Sequence, residues 1–379
     1  MSKDKKMRGF YVPTRIILGV GSISKVGEEA RHFGRRVLLV GGRRNFQKNL
    51  KEKAENLLYE DGLEVITFEG VPPEPTIQIV EEGKRVAEKE KIDVIIGIGG
   101  GSVLDCAKAI SGVMEKEASV EEYLEGKPLP PPAKPFIAIP TTSGTGSEVT
   151  NNAVLKNERK KYKKSLRAPF LNPQVAIIDP SLTVTLPPEL TAYAGMDALT
   201  QLIESYVSLG ANSVTDALTI YGIELSSQSL TKAVEAGEDM SAREDLSYAS
   251  LLSGMALTNA GLGAVHGLAH PIGAYWNIPH GLVCAVLLPY VVKYNLFYAR
   301  EKYAKISRIF TGKDDVSLLP EFLLQLNRRL GINQRLRNFG IEKGKFLWIA
   351  ENSFSGSMLK NPRPATVEEL VEEVLNEAW

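Results

Sequence analysis

Cysteine and long apolar runs are scarce in this chain, and each scarcity excludes a class of protein. Among 379 residues there are only two cysteines, Cys106 and Cys284, so a disulfide framework is excluded and a reducing compartment is expected. Both stand in apolar stretches, where we predict small buried hydrophobic side chains rather than nucleophiles. The longest apolar run, Leu282–Val292, falls well short of the ~20 residues of a membrane span. Because Met1–Arg8 is charged, we also expect no signal peptide and a soluble, cytoplasmic protein.

The chain also lacks an excess of either charge. Its 45 basic and 45 acidic residues cancel, so no global field would attract it to nucleic acid or to an anionic membrane. The hydrophobic fraction of 44% and the charged fraction of 24% are typical of a globular protein. The chain is longer than one hydrophobic core usually supports, which indicates two domains. We place them at residues 1–185 and 186–379.

The first half alternates short runs rich in Val and Ile with amphipathic segments. Such runs, separated by helices, predict a parallel sheet covered on both faces, as in a Rossmann-like, doubly wound α/β domain. The predicted strands are Arg15–Leu18, Val37–Val40, Glu64–Phe68, Val94–Ile98 and Phe136–Ile139. The predicted helices are Ser22–Arg31, Asn49–Glu60, Thr76–Glu90 and Leu104–Val113.

The second half has helical periodicity throughout and no strand pattern of similar quality. We therefore predict an all-α domain from residue 186 to the last residue. Its clearest helices are Ala194–Ser208, Val214–Ala233, Ala242–Thr258, Leu262–Ala274 and Val283–Val292.

Two strand ends in the first half favour a ligand rich in oxygen atoms. The strand Val94–Ile98 runs into Gly99, Gly100, Gly101 and Ser102 before a helix, an arrangement in which backbone N–H groups and the helix dipole favour an anion. Ser102 is suited to capping that helix or to donating its hydroxyl. A tight turn without a ligand is the alternative, and the spacing is not that of the G-x-G-x-x-G fingerprint.

The second strand end carries a run of hydroxyl groups. Phe136–Ile139 ends in Pro140–Glu148, which contains five hydroxyl side chains, among them Thr141, Thr142, Thr145 and Ser147. Together with the glycine turn, these side chains predict a dinucleotide at the carboxyl edge of the sheet.

A third strand end bears on the choice of dinucleotide. Val37–Val40 ends in Gly42, Arg43 and Arg44, with no carboxylate to bind a ribose 2′-OH. Glycine and arginine leave space and positive charge for a 2′-phosphate, so NADP is favoured over NAD. The alternative is that the two arginines are solvated surface charges.

Three of the four histidines lie in one short window, while His32 stands apart in a polar context. If their segment is helical, His266 and His270 share one face, and we expect the turn Asn277–Pro279 to bring His280 back toward them. Asp197 and Gln201 form another i, i+4 pair, and these oxygen and nitrogen groups together suit a divalent ion.

Other interpretations of these side chains stay open. A single histidine is more often a core residue than a metal ligand, but three histidines in one short window favour metal ligands. For Glu204, on the same helix face as Asp197, we expect a helix-start carboxylate.

The combination of motifs resembles the iron-containing (group III) alcohol dehydrogenases, from about residue 10 to residue 310. The similarity lies in Gly99–Ser102 followed by Asp105 and Lys108, and in Pro140–Thr150, Gly195–Ser208 and Val265–His280. It implies the dehydroquinate synthase-like fold and a cofactor cleft between the two domains. It further implies a divalent metal, Fe²⁺ or Zn²⁺, and a homodimer or higher homo-oligomer.

Individual positions follow from the resemblance. Asp197, His266 and His280 match metal ligands, whereas Gln201 stands where the family normally has a third histidine. His270 matches a position near the metal and the nicotinamide, suited to proton relay. The candidate cofactor-binding residues are Gly42, Arg43, Gly99, Gly100, Gly101, Ser102, Asp105, Thr141, Thr142, Thr145, Ser147, Lys163 and Leu182.

The expected function is an NAD(P)-dependent, metal-assisted alcohol dehydrogenase or aldehyde reductase. The metal would polarise the substrate oxygen, the cofactor would carry the hydride, and His270 would pass the proton to solvent. Two alternatives stay open: a dehydroquinate synthase-like lyase, and a cofactor-binding protein whose metal site has decayed through Gln201.

Overall fold

A six-stranded parallel sheet forms the core of the first half of the chain. The computed structural model describes residues 9–43, 48–160, 162–354 and 356–379, so the expectation for Arg44 lies outside the described residues. The strand order in the sheet is β1-β8-β5-β4-β2-β3, and a separate antiparallel hairpin joins β6 to β7. The strands are β1 (Arg15–Leu18), β2 (Arg36–Gly42), β3 (Glu64–Val71), β4 (Val94–Gly99), β5 (Phe136–Pro140), β6 (Asn152–Asn157), β7 (Tyr162–Arg167) and β8 (Val175–Ile178).

Helices cover both faces of the sheet, as the continuous apolar strands predict. In β2, Val37 and Leu39 face one core while Leu38 and Val40 face the other, because successive side chains point to opposite faces. The expected α/β architecture is therefore confirmed. The helices of this half are α1 (Val26–Arg31), α2 (Lys48–Glu60), α3 (Ile77–Lys89), α4 (Gly101–Val113) and α5 (Val120–Leu124).

The order of the strands creates a crevice at their carboxyl ends. The chain leaves β2 toward β3 on one side, then returns to β4 and continues to β5 on the other. Such a switch between neighbouring strands leaves an opening at the carboxyl edge, where ligands of α/β proteins bind. The ends of β2 and β4, at Gly42 and Gly99, flank this opening.

The rest of the described chain is helical, which confirms the predicted all-α second half. No strand is assigned among the described residues beyond Ile178. A single apolar core joins the long helices with the C-terminal ones. The helices are α6 (Pro188–Val207), α7 (Ser213–Glu235), α8 (Met240–Ala260), α9 (Ala264–Trp276), α10 (His280–Asn295), α11 (Arg300–Thr311), α12 (Leu319–Arg329), α13 (Phe346–Glu351), α14 (Val367–Glu369) and α15 (Asn376–Ala378), with a π-helical turn at Leu370–Leu375.

Glycines let the hydroxyl-rich segment after β5 pack directly on the helical half. Gly146 has φ +62°, and a Cβ there would lie 2.4 Å from the Cα of Gly254 in α8. A Cβ on Gly144 would lie 3.0 Å from Ala194 in α6. Because both approaches involve backbone, any larger residue would separate the halves. The segment therefore contacts both halves of the protein.

The structure differs from the sequence-based expectations for several elements of the first half. The strands β6, β7 and β8 were not predicted, and the predicted helix Ser22–Arg31 divides into a 3₁₀ turn, Ser22–Lys25, and α1. Ser102 is not a helix cap: Gly100 occupies that position, and the Ser102 hydroxyl accepts a hydrogen bond from the Glu74 N–H at 3.1 Å. Across the described ranges, every helix is too short or too polar to cross a membrane.

Candidate functional site

A cavity of ≈230 Å³ lies between the sheet edge and helices α6 and α9, and continues into a wider one of ≈770 Å³. The hairpin β6–β7 forms part of its wall, as do side chains from both halves of the chain. The predicted site residues that line it are Gly101, Ser102, Asp105, Thr145, Ser147, Lys163, Asp197, Gln201, His266, His270 and His280. Those that do not are Gly42, Arg43, Gly99, Gly100, Thr141, Thr142 and Leu182.

Three helices bring the candidate metal ligands to one end of this cavity. Asp197 lies in α6, His266 in α9, and His280 begins α10. The Oδ1 atom of Asp197 lies 3.4 Å from Nε2 of His266 and 3.6 Å from Nε2 of His280. This oxygen is buried and makes no hydrogen bond to any described residue. An unpaired buried carboxylate oxygen facing two imidazole nitrogens is the arrangement expected of ligands around a cation.

Local backbone geometry explains the approach of these helices. Asn277 ends α9 in the left-handed conformation, with φ +56°, and so turns the chain back toward α6. The first turn of α10 then contacts α6 through Gly281, where a Cβ would lie 2.1 Å from the carbonyl oxygen of Tyr193. Glycine at 281 therefore permits the contact that sets His280 beside Asp197.

The expectation for Glu204 was wrong. It is not a helix-start carboxylate but lies buried near the end of α6, because α9 packs over it. Its two oxygens accept hydrogen bonds from the Val265 N–H and from Nδ1 of His266, each at 2.6 Å. A carboxylate that accepts a hydrogen bond from the Nδ1–H group fixes the ring orientation and directs Nε2 toward Asp197. The burial depends on helix packing, which the sequence spacing alone did not reveal.

Cys284 is buried, as predicted, but its surroundings are polar rather than purely apolar. It lies one turn after His280 in α10, and its Sγ is 3.7 Å from Nε2 of His280 and 3.9 Å from Nε2 of His266. Its i, i+4 spacing from His280 was the signal in the sequence that pointed to this contact.

Gln201 faces the same centre from α6. Its Oε1 accepts a hydrogen bond from the Ser253 hydroxyl at 2.7 Å, and its side chain also hydrogen-bonds Asp197. Because a carboxylate only accepts hydrogen bonds, the NH₂ group is the part of Gln201 that faces Asp197.

Mutual electrostatic interactions shift the ionisation of this cluster. Burial alone would lower the pKa of His266, but the neighbouring Cys284 and Glu204 raise it well above the ordinary value. Burial alone would raise the pKa of Cys284 and of Asp197, but the two imidazoles hold both below their usual ranges. His270 stacks on His280 at 5.8 Å between ring centroids, and burial with the two other histidines lowers its pKa to about 3.

The glycines at the end of β4 and the start of α4 have no space for a side chain. A Cβ on Gly99 would lie 2.6 Å from Val103, whereas Cβ atoms on Gly100 and Gly101 would lie 3.1 and 2.6 Å from the side chains of Thr142 and Thr145. The turn and the hydroxyl-rich segment are therefore in direct contact.

Hydrogen bonds within the protein occupy several of the predicted cofactor groups. Asp105 accepts from the Ser147 hydroxyl at 2.5 Å and from the Val154 N–H at 2.9 Å. The buried ammonium of Lys108 donates to acceptors of Ser147, Thr150 and Asn152 at 2.7–3.0 Å. These contacts join α4 to the hydroxyl-rich segment and to β6. Thr141, by contrast, has a buried hydroxyl oxygen with no partner among the described residues.

The remaining predicted residues lie around the opening. Gly42 ends β2, and the exposed Arg43 donates from Nε to the carbonyl of Gly70 at 3.1 Å. Leu182 follows β8 and packs against the sheet core. Lys163 pairs with Glu74, and burial lowers its pKa despite that carboxylate. Glu74, which also binds Ser102 through its N–H, was not predicted and carries no motif in the sequence.

Comparison with known proteins identifies relatives along the whole chain. Residues 13–180 match the family profile described as iron-containing alcohol dehydrogenase, and residues 191–379 match that of the C-terminal part of the same family. The 1,3-propanediol dehydrogenase of Citrobacter freundii is 39% identical over 379 residues, which cover 97% of this chain and 98% of that protein.

A second relative and a crystal structure agree with this result. The NAD-dependent methanol dehydrogenase of Bacillus methanolicus is 34% identical over 98% of this chain and 100% of its own. A crystal structure of 1,3-propanediol oxidoreductase, 37% identical, superposes with a TM-score of 0.94 over 99% of this chain and 100% of its own. The chain therefore belongs to the iron-containing alcohol dehydrogenase family and is an oxidoreductase of that type.

Proposed function

We propose that this enzyme interconverts a small alcohol and its aldehyde at the cavity between the sheet edge and α6, α9 and α10. The observation that carries the proposal is that one cavity is lined both by the glycine turn and hydroxyl-rich segment and by Asp197, His266 and His280. A nicotinamide cofactor along the carboxyl edge of the sheet would place its reactive end toward the three helices.

The residues at the helical end fit a divalent metal, Fe²⁺ or Zn²⁺. Asp197 offers an oxygen that is otherwise unpaired, and Glu204 leaves Nε2 of His266 free to bind an ion. Asp197, His266 and His280 would hold the ion, which supplies a Lewis acid for the oxygen of the alcohol or aldehyde.

His270 is proposed to pass the proton between substrate and solvent. It lines both the inner and the wider cavity, so its ring lies on the path between them. Its lowered pKa keeps the ring neutral near pH 7, so one ring nitrogen donates a hydrogen bond and the other accepts one. The small volume of the inner cavity favours substrates of few carbon atoms. The relatives named for 1,3-propanediol and methanol act on such compounds.

For the cofactor we propose NADP in preference to NAD. Gly42 and Arg43 present no carboxylate at the end of β2, and Arg43 is exposed there. The methanol dehydrogenase relative is NAD-dependent, so the preference must be measured for this chain. Gly42→Asp should shift the ratio of kcat/KM for NADPH and NADH toward NADH by about tenfold or more, a difference of ~1.4 kcal/mol.

Gly42→Ala is the matched control for that variant, because it makes the same 3.0 Å contact with Val103 without adding charge. The ratio should change little in Gly42→Ala. A ratio that favours NADH in the unmodified enzyme would contradict the NADP preference.

The decisive test of the reaction is a panel of small aldehydes assayed with NADPH and NADH, with and without added Fe²⁺ or Zn²⁺. Turnover should need the metal, and His266→Ala should abolish it while cofactor binding persists. His32→Ala is the control, since His32 is exposed and far along the chain from the cluster. Full activity of His266→Ala would exclude the metal role, and a protein that binds no metal and is inactive would indicate a decayed site.

We further propose a cytoplasmic homo-oligomer, with the cofactor part at residues 1–185 and the metal and substrate part at 186–379. Support for the division is that β8 ends at Ile178 and α6 begins at Pro188. Support for a reducing compartment is that both cysteines are free and buried. Light scattering of the purified protein tests the oligomeric state, and a monomer would contradict it.

A further inference from the structure

Two helices each offer one additional side chain to the metal centre, one turn beyond a proposed ligand. On α6, Gln201 follows Asp197 by four residues; on α10, Cys284 follows His280 by four. Side chains four apart on a helix share a face, so both point toward the space between Asp197, His266 and His280.

Gln201 turns its amide nitrogen, rather than its oxygen, toward the metal centre. Its Oε1 accepts a hydrogen bond from the Ser253 hydroxyl at 2.7 Å, and its NH₂ group donates to Asp197. An amide nitrogen has no lone pair free for a metal ion, so Gln201 acts as a hydrogen-bond partner of Asp197.

We infer that the Cys284 thiolate is the fourth ligand of the metal, with Asp197, His266 and His280. It would replace a histidine ligand at position 201, where this chain has Gln201. The inference rests on the proposed metal centre and deepens it. It also predicts the class of ion: a thiolate ligand favours Zn²⁺ or Co²⁺ over an ion that prefers only oxygen and nitrogen.

The distances between ligand atoms support this set. With Zn–S about 2.3 Å and Zn–N about 2.0–2.1 Å in a tetrahedron, sulfur and nitrogen should lie about 3.6 Å apart, and nitrogen and oxygen about 3.4 Å. The Cys284 sulfur is 3.7 and 3.9 Å from the two imidazole nitrogens, and Asp197 Oδ1 is 3.4 and 3.6 Å from the same atoms. All four ligand atoms lie within 4.8 Å of one another.

The proposed set offers two anionic donor groups to a divalent ion. Formation of the metal–sulfur bond releases the thiol proton to solvent. The Cys284 thiolate and the Asp197 carboxylate would then face the ion directly, while the Glu204 carboxylate stays hydrogen-bonded to Nδ1 of His266.

Co²⁺ is a direct probe, because a thiolate ligand adds a sulfur-to-cobalt charge-transfer band in the near ultraviolet. We expect the band in the unmodified protein loaded with Co²⁺ and its loss in Cys284→Ala, together with a weakening of Zn²⁺ binding by about tenfold or more. Cys106→Ala is the matched control: Cys106 is the other cysteine, equally buried but in α4, and its replacement should leave the band unchanged. Gln201→Ala should also retain it.

A double variant separates loss of a ligand from loss of folding. Cys284→Ala combined with Gln201→His should recover Zn²⁺ affinity to within a few fold of the unmodified protein, without the charge-transfer band. Equal affinity of the single and double variants would overturn the idea that the thiol occupies the place of a residue-201 imidazole.

The outcomes also distinguish this inference from the proposed function. Stoichiometric Co²⁺ binding without the band, or a band that survives in Cys284→Ala, would overturn thiolate ligation while leaving the metal centre in place. Absence of any Co²⁺ or Zn²⁺ binding would overturn both. Turnover is not a readout in any of these measurements.

Discussion

Replacement of Gly281 by alanine should disrupt the metal centre without altering any ligand. The added Cβ would lie 2.1 Å from the Tyr193 carbonyl oxygen and 3.3 Å from the Cβ of Asp197. The first contact is with backbone, so no side chain can rotate away, and α10 must separate from α6 by about 0.9 Å to reach an allowed distance.

The size of this displacement sets the expected effect. Ligand groups must be held within about 0.5 Å of their productive positions, so a shift of this size should weaken metal binding by about tenfold or more, ~1.4 kcal/mol. Overpacking between the two helices should also lower the free energy of unfolding by about 1–3 kcal/mol. Metal affinity and stability should therefore fall together.

The assay is competition for Zn²⁺ with a chromophoric chelator, accompanied by urea unfolding of the metal-free protein. Gly273→Ala in α9 is the matched control, because its Cβ would meet only the Ile278 carbonyl at 3.6 Å and the Lys163 amine at 3.7 Å. Those are ordinary contacts, so its metal affinity should be unchanged and its helix slightly stabilised. Unmodified Zn²⁺ affinity in Gly281→Ala would refute the idea that this helix contact sets the position of His280.

Three further predictions concern buried charged groups. Glu204→Gln should weaken Zn²⁺ binding by about 10- to 100-fold, because only one of the two oxygens that accept from Val265 N–H and from Nδ1 of His266 remains. Glu29→Gln is the control: it replaces a buried carboxylate in α1 and should leave Zn²⁺ binding unchanged. Burial raises the pKa of Glu148 from its ordinary value of 4.5 to about 7, so the free energy of unfolding should fall as the pH rises from about 4.5 to 7. Glu148→Gln should flatten this part of a pH–stability curve. An unaltered slope would contradict the assignment. Lys108→Met should lower the free energy of unfolding in urea by about 2–4 kcal/mol, since four acceptors, three of them buried, lose their donor.

The parts of the fold that the sequence predicts well are those with a strong apolar pattern. Strands such as β4 and β5 are buried on both faces, so their Val and Ile runs show where they begin and end. The hairpin strand β7, Tyr162–Arg167, escaped prediction because its basic side chains hide any alternation. The four-residue strand Val175–Ile178 is too short for its period to be told from a loop or a helix turn.

The candidate site divides in the same way. The clustering of His266, His270 and His280 was visible because all three lie within one short window, whereas the burial of Glu204 results from α9 packing over α6. Cys284 was assigned to the core from its apolar neighbours. The residues next to Cys284 in the sequence lie on other faces of α10, so their apolar character does not indicate what the Cys284 side chain contacts.

The geometry of the three helices explains why a fourth ligand can come from more than one position. Because α10 contacts α6 through Gly281, the turn after His280 brings Cys284 near the ligand atoms, and the turn after Asp197 brings Gln201 beside Asp197. Under the proposed ligation, a side chain at residue 201 or at residue 284 would complete the same coordination sphere. The metal preference would then follow from which of the two positions bears the donor atom, and a motif along α6 alone would give an incomplete ligand set.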